Sequence, residues 1–540
     1  MKKLIKTILL TLSLMLAFTS LNLDLVKAAS GTSFSNAISI STGSSYSASI
    51  SSSSFIKYYK FTNSTSGENV FTFDSDVNLY YTIYDTNQES ITSGSVYSSS
   101  VVDKESLDLT SGDYYMVIEY WYSTGDYSFT MSFTSAGESF KETTGGINNA
   151  ISSASSISTG TTYKGQIAIN DKIDCYKFTL STSGRVAITI TKDMDYLEFY
   201  LYDVNQDELY MSYLSSSDTS SKITLDLTSG TYYLVYERYS SSNTGNYSFK
   251  VSFTSAGESF KETTGGTNNS MSKASKISLN TTYKGQLAEN DSKDYYKFTV
   301  SKKTSVTVSL SSSTLTKVYC YIYNSSGSQV KYGYDYDSDG ISISLTATLS
   351  KGTYYVYVYE SSCTGNYSLK VSNKLSSASL STTTYTYNGK AKKPSVTVKN
   401  GAGTTLTKGT DYTVTYSSGR KSIGSYKVTI KGTGDYTGTI TKTFKVNPKK
   451  VTISKAKSSS KKKLTVKWKK VSGSVKYKIA YRVKGTSTWK YKYVSSSTYS
   501  KTITGLKSGK TYQIKVRAYK KVSGTTYYGS WSKTKTVKVK

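Results

Sequence analysis

Three carboxylates alternate in Asp335-Tyr336-Asp337-Ser338-Asp339-Gly340. Alternating oxygens followed by a glycine turn are what the first half of a calcium loop uses to wrap a hard cation. Thr346 stands at the twelfth position, where a helix-loop-helix calcium site carries a bidentate Glu, so Asp335, Asp337 and Asp339 are a candidate calcium site outside that motif. A solvated hairpin turn relieves the same mutual repulsion by exposure, and both readings stand. The second set of candidates is cationic: Lys461, Lys462, Lys463, Lys467, Lys469 and Lys470 surround Trp468 and are expected to attract polyanions. On a strand Lys467 and Lys469 share one face while Trp468 takes the other, so the indole is read as core and not as a platform for stacking bases. Catalysis has little to work with. The chain contains no histidine, which removes the commonest general base and imidazole metal ligand. Carboxylate pairs remain, Asp74 with Asp76 and Asp193 with Asp195, but residues two apart on a strand face the same way whatever their role. They are read as polar strand edges, and no catalytic residue is expected.

The elements that hold these residues are strands. The 53 Tyr, the wealth of Ser, Thr and Val and the mere 2 Pro suit pleated, half-buried surfaces. The string SFTSAGESFKETTGG occurs at Ser132–Gly146 and again at Ser252–Gly266, and TTYKGQ at Thr161 and Thr281. Thr124-Gly125-Asp126-Tyr127-Ser128 returns as Thr244-Gly245-Asn246-Tyr247-Ser248 and Thr364-Gly365-Asn366-Tyr367-Ser368, so three copies are present. Within a copy, Tyr354, Val356 and Val358 alternate with Tyr355, Tyr357 and Tyr359, the period of a strand with two unlike faces. A copy of roughly 110 residues exceeds any solenoid turn and predicts an autonomous sandwich. The polar, Gly-ended SAGESFKETTGG segments predict hinge freedom between copies.

From Lys374 onward the composition changes. Residues 374–540 hold 39 Lys and Arg against only Asp411 and Asp435, and the whole-chain charge of +31 leaves the first 373 residues at −6. Such a field draws polyanions by steering and counterion release.

The succession NNxxSxAxxI, TTYKGQ, DYYKF, SGTYYLVY and TGNYSFKV across residues 31–373 resembles the bacterial pre-peptidase C-terminal domain family. The resemblance implies a jelly-roll-like sandwich, usually appended to secreted peptidases, with related modules that bind matrix polymers, sometimes with calcium. The first copy departs from it, having Lys57 where Asp174 and Asp294 stand and lacking TTYKGQ. The segment that opens at Tyr385-Thr386-Tyr387-Asn388-Gly389-Lys390-Ala391 and closes at Phe444-Lys445-Val446-Asn447-Pro448 resembles a small bacterial immunoglobulin-like module. Leu464-Thr465-Val466-Lys467-Trp468, Tyr477–Arg482, the spacing of Leu506 and Tyr512, and Tyr528-Gly529-Ser530-Trp531-Ser532 are similar to a fibronectin type III domain, in which the Trp is buried and the Tyr forms a corner.

The expected organisation is all-β: a signal peptide over 1–28, three jelly-roll-like repeats over 29–135, 136–255 and 256–373, an immunoglobulin-like module over 374–448 and a fibronectin type III domain over 449–540. Met1-Lys2-Lys3, the apolar run Leu9–Phe18 and Val26-Lys27-Ala28 are read as the export signal, with no transmembrane segment in the mature protein. Cys175, Cys320 and Cys363 are too few to staple the chain, and Cys175 and Cys320 are read as core filling. The functional expectation is a non-catalytic, extracellular protein, secreted or held non-covalently at the cell surface. It would engage cell-wall polyanions, extracellular polysaccharide or matrix, with no sequence-specific nucleic acid and no cofactor beyond calcium. The alternative is a spacer or accessory protein partnering a separate secreted hydrolase.

Overall fold

The computed structural model describes residues 31–51, 54–98, 102–121, 124–142, 147–263 and 266–540; the expected signal peptide lies outside the described residues. The protein is a multi-domain β-sandwich chain, and its only helical turns among the described residues are the 3-10 segments Phe34–Asn36 and Ile151–Ser153. No helix among them is long and apolar enough to cross a membrane. Internal contacts divide the chain into two compact units, one of Met1–Asn269, Lys284–Lys293 and Glu360–Asn366, the other of Ser270–Tyr283, Asp294–Tyr359 and Tyr367–Lys540.

The first unit contains two complete sandwiches. In the second repeat a five-stranded sheet runs Ser155–Ser156, Ile173–Leu180, Gly230–Glu237, Leu197–Tyr202, Glu208–Leu214, and a four-stranded sheet runs Thr162–Ile167, Gly245–Ser255, Gly184–Lys192, Ser220–Leu227. The first repeat has the same order, and so do the strands of the third. Alternation is the cause. Along Gly184–Lys192, Val186, Ile188 and Ile190 are all fully buried between the sheets while Arg185 and Thr189 face out, each buried aliphatic contributing about 1.5–3 kcal/mol. Four core tyrosines pair their hydroxyls, Tyr59 with Tyr127 at 2.8 Å and Tyr176 with Tyr247 at 2.9 Å, so these rings fill volume with their polar atoms paired.

In the described part of the first connection, residues 135–142, polar side chains that read as solvated linker are bonded to the second repeat. Lys164 and Ser139 exchange backbone and side-chain hydrogen bonds, and Gln166 donates its backbone N–H to Glu138 at 3.1 Å. Asp108 of the first repeat accepts Gln166 Nε2 at 2.7 Å and Thr244 Oγ1 at 2.8 Å from the second. Asp226 takes Gln286 and Thr364 in the same manner, both at 3.1 Å. Glu138 and Ser139, which look like solvated linker in sequence, are the strand's own hydrogen-bond partners and satisfy its backbone along that edge.

In the second unit, residues 375–447 form a two-stranded and a four-stranded sheet around Val398, Val428, Ile430 and Phe444. The last sandwich pairs the sheet Ile453–Lys457, Leu464–Trp468, Ser500–Ile503 with one running Lys490–Val494, Lys476–Val483, Thr511–Val522, Thr525–Tyr528. Trp468 is buried, and Tyr512 Oη accepts the Lys507 N–H at 3.1 Å, the expected tyrosine corner. Cys320 fills the core position that Phe199 holds in the second repeat. Both acids of the basic segment are engaged, Asp411 by Lys302 at 2.6 Å and Asp435 by Ser301 at 2.7 Å.

Candidate metal centre and binding faces

The second repeat gathers three buried carboxylates. Glu142 comes from the connecting segment, Asp171 from the turn after Thr162–Ile167, and Asp174 from the strand Ile173–Leu180, and one oxygen of each lies within 4.8 Å of the others. Exposures are 1%, 2% and 0%. Asn148 Nδ2 donates to Glu142 at 2.8 Å and to Asp174 at 3.1 Å, and Tyr247 Oη donates to Asp174. The acceptors outnumber these donors: Glu142 Oε2, both Asp171 oxygens and the Oδ1 atoms of Asn148 and Asn149 are buried without a well-formed hydrogen bond. Burial pushes Glu142, Asp171 and Asp174 all above the carboxylate range; neighbouring carboxylates add to it at Glu142 and Asp174, whereas hydrogen bonding and the charge of Arg238 oppose it at Asp171, and burial likewise lifts the neighbouring Glu138 to about 7.

Such an arrangement is costly unless protons or a cation neutralise it. The donor set is oxygen only, which suits a hard ion such as calcium and not zinc. Turning either Asn amide would present its carbonyl oxygen instead of its NH2. Gly165 serves the same centre, because a Cβ there would sit 2.4 Å from Tyr247 Oη, the atom that reaches Asp174. In the third repeat Glu262, Asp291 and Asp294 are the counterparts by sequence, and all are buried. Asn268 donates to Glu262 at 2.7 Å, and Tyr367 donates to Asp294.

The residues nominated from sequence lie elsewhere. Asp335 and Asp337 accept backbone N–H groups of Ser342 at 2.7 Å and of Asp339 at 2.9 Å, as in a hairpin turn, and Asp337 and Asp339 are exposed. Lys461, Lys462, Lys463, Lys467, Lys469 and Lys470 are all exposed, with Trp468 inward as expected. Asp193 caps the facing turn by accepting Asn246, and Asp74, Asp76 and Asp195 are exposed edge residues. Composition obscured Glu142 behind a linker-like string; the usable signal was that Glu142, Asp171 and Asp174 all return at Glu262, Asp291 and Asp294.

Two surfaces complete the inventory. On the third repeat, tyrosines of adjacent strands stack on the outward face, with Tyr295 over Tyr357 at 4.3 Å, Tyr319 beside Tyr334 at 5.8 Å and Tyr321 beside Tyr332 at 5.9 Å. On the last domain, cations alternate with aromatic rings across the sheet that carries Lys476–Val483 and Thr511–Val522.

The model of the bacterial pre-peptidase C-terminal domain matches residues 292–360, and that of the fibronectin type III domain matches residues 446–534. The chain contains both domains. Both are non-catalytic module types and fit an extracellular protein. A solved pre-peptidase C-terminal domain of collagenase from Bacillus anthracis is 29% identical, covering 18% of this chain and 93% of its own at a TM-score of 0.16. A myokine structure is 18% identical, covering 17% of this chain and 95% of its own at a TM-score of 0.14. No curated protein matches. The pre-peptidase C-terminal match falls in the third repeat, whose strand order the first and second repeats share, and the fibronectin type III match takes in the cation-aromatic sheet.

Proposed function

We propose that this chain is an extracellular, non-catalytic binding protein whose repeats engage carbohydrate or matrix and whose basic C-terminal segment holds cell-envelope polyanions. The observation that supports it best is the unbalanced charge of residues 449–540, which hold 27 Lys and Arg and no acid. Exposed tyrosines on the third repeat supply amphipathic rings suited to sugars. Calcium is the structural ion of the reading, held by Glu142, Asp171 and Asp174. Asp335, Asp337 and Asp339 are a second calcium proposal, in which Asp335 and Asp337 already serve turn amides and Asp339 is exposed. The test is retention of labelled protein on peptidoglycan with and without teichoic acid across a salt series. Retention that disappears with teichoic acid or with salt is expected; salt-independent retention, or none, overturns it.

A second reading, an accessory protein partnering a separate secreted hydrolase, draws on the pre-peptidase C-terminal match. Stable co-elution with a secreted hydrolase at high salt favours it.

A further inference from the structure

The outward face of the fibronectin type III sheet is a continuous ladder of cations and rings. Arg482 lies 4.4 Å from the Trp489 ring, Lys515 lies 4.2 Å from Trp489 and 4.9 Å from Trp531, and Arg517 lies 4.4 Å from Trp531 and 3.7 Å from Tyr528. Register explains the order: Arg482 pairs with Gln513, Ala480 with Lys515 and Lys478 with Arg517, so the cations climb the sheet in steps of two residues, about 6–7 Å each. Packing three like charges between rings strips water from them. Burial, followed by the charges of Arg482 and Arg517, holds Lys515 below its ordinary value, and Arg517 Nε is buried without an acceptor. No acid in the domain answers these charges.

We infer that this ladder is a docking strip for a linear polyol-phosphate polymer, an inference that rests on the polyanion reading above and locates it. Each of these rings already has a cation within 5 Å of its centroid, which leaves less open ring face for a nucleobase or a sugar than a bare aromatic platform offers. Arg482 already gives its Nε–H to Gln513 Oε1 at 2.9 Å and Nη1 to Ser487 O at 3.4 Å, so the N–H groups left for an oxyanion are the remaining guanidinium N–H groups of Arg482 and Arg517 and the ammonium of Lys515. A thin chain with phosphate at short regular intervals meets successive rungs, and its phosphates supply the negative charge that the domain lacks. The Lys461–Lys470 cluster lies on the other sheet and has no such array.

The experiment compares full-length variants binding poly(glycerol phosphate) across a salt series. The triple variant Arg482→Gln, Lys515→Gln, Arg517→Gln is set against Lys461→Gln, Lys462→Gln, Lys463→Gln, which removes the same charge. The ladder variant is expected to lose at least about tenfold in affinity and to flatten the salt slope by about 2–3, with the control losing far less. Arg517→Lys, which keeps charge and fold, is expected to weaken binding about threefold to tenfold through loss of the fork. Equal losses in both triple variants, with Arg517→Lys unchanged, overturn the ladder while leaving a diffuse polyanion site. No binding by the parent chain overturns the polyanion reading itself, and equal competition by single-stranded DNA or dextran sulfate overturns the polyol-phosphate assignment.

Discussion

The first and second repeats share a strand order and differ in what they bury at one corner. Ile38 pairs with Tyr59 as Ser155 pairs with Tyr176, so Lys57 stands where the second repeat has Asp174, Ser54 where it has Asp171, and Gly31 where it has Asn148. The backbone contact survives, Tyr58 N–H donating to Gly31 O at 2.9 Å and Cys175 N–H to Asn148 O at 2.8 Å. One scaffold thus carries a lysine in one copy and a nest of underprovided carboxylates in the next. The first repeat forms the same sandwich without the acids, so the fold itself does not require them. The largest expected effect follows from copying one repeat into the other. Asp174→Lys should remove one calcium from the stoichiometry measured by titration calorimetry, and with it about 2.7 kcal/mol of ion-dependent stabilisation at a calcium concentration about 100 times Kd. Lys57→Asp alone should create no site, since Ser54 and Gly31 bring no further carboxylate. An unaltered stoichiometry in Asp174→Lys would remove the centre from the argument.

A tighter contrast lies in the tyrosine that reaches the acid. Gly165 faces Tyr247 and Ala48 faces Tyr127 at the same rung of the two sandwiches. A methyl group at Gly165 would displace the Tyr247 hydroxyl from Asp174, so Gly165→Ala should cost about 1–3 kcal/mol of folding stability and weaken calcium binding together with it. Ala48→Gly in the first repeat should cost about 0.5–1 kcal/mol, the entropy of a strand glycine, without touching calcium. Chemical denaturation with and without calcium measures both.

Proton linkage gives the next effect. Burial, then the negative charges of Asp174 and Asp171, raises Glu138 from 4.5 to about 7. A carboxyl whose folded value exceeds its unfolded one favours the fold while protonated, so its contribution is complete below about pH 4.5 and is lost as pH rises through about 7. Chelator-treated protein should therefore lose on the order of 1–2 kcal/mol across that window, after allowance for solvent screening. Calcium should reverse the trend by favouring the ionised acids. A melting temperature independent of pH in chelator would show that the acids are neutralised some other way.

The architecture was legible in the sequence because a sandwich core is written in a period of two, as in Val186, Ile188 and Ile190, and because repetition marks each copy. Trp468 and the spacing of Leu506 and Tyr512 were equally direct. The carboxylate cluster was not, because Glu142 lies in a polar string that reads as a linker, and its partners meet it only through the register of the sheet. The ladder was hidden for a related reason. Arg482, Lys515 and Arg517 are isolated in the chain, whereas Lys461-Lys462-Lys463 is contiguous and draws the eye; cross-strand pairing, not sequence adjacency, brings Trp489 and Trp531 between the former.

The smallest expected effect on stability concerns the outward tyrosines, where the third repeat departs from the first. Tyr332 and Tyr334 face Tyr321 and Tyr319, and at the matching rungs of the first repeat Ser93 and Ser95 face Thr82 and Tyr80. Both repeats keep a buried partner on the inward side, Gly333 against Cys320 and Gly94 against Tyr81, so the core gives no reason for the extra rings. Exposed at 53% and 64%, they contribute little to folding, and Tyr332→Ser with Tyr334→Ser should change stability by no more than about 0.5 kcal/mol each. If the face stacks on sugar rings, each loss should weaken retention on an immobilised polysaccharide about twofold to tenfold, the worth of one aromatic contact. Calcium titration should be unchanged in the same variant, since the face and the carboxylates share no residue. Retention equal to that of the parent chain would mean that the third repeat carries its tyrosines for the sheet's own cross-strand packing, and the carbohydrate reading would have to rest on another surface.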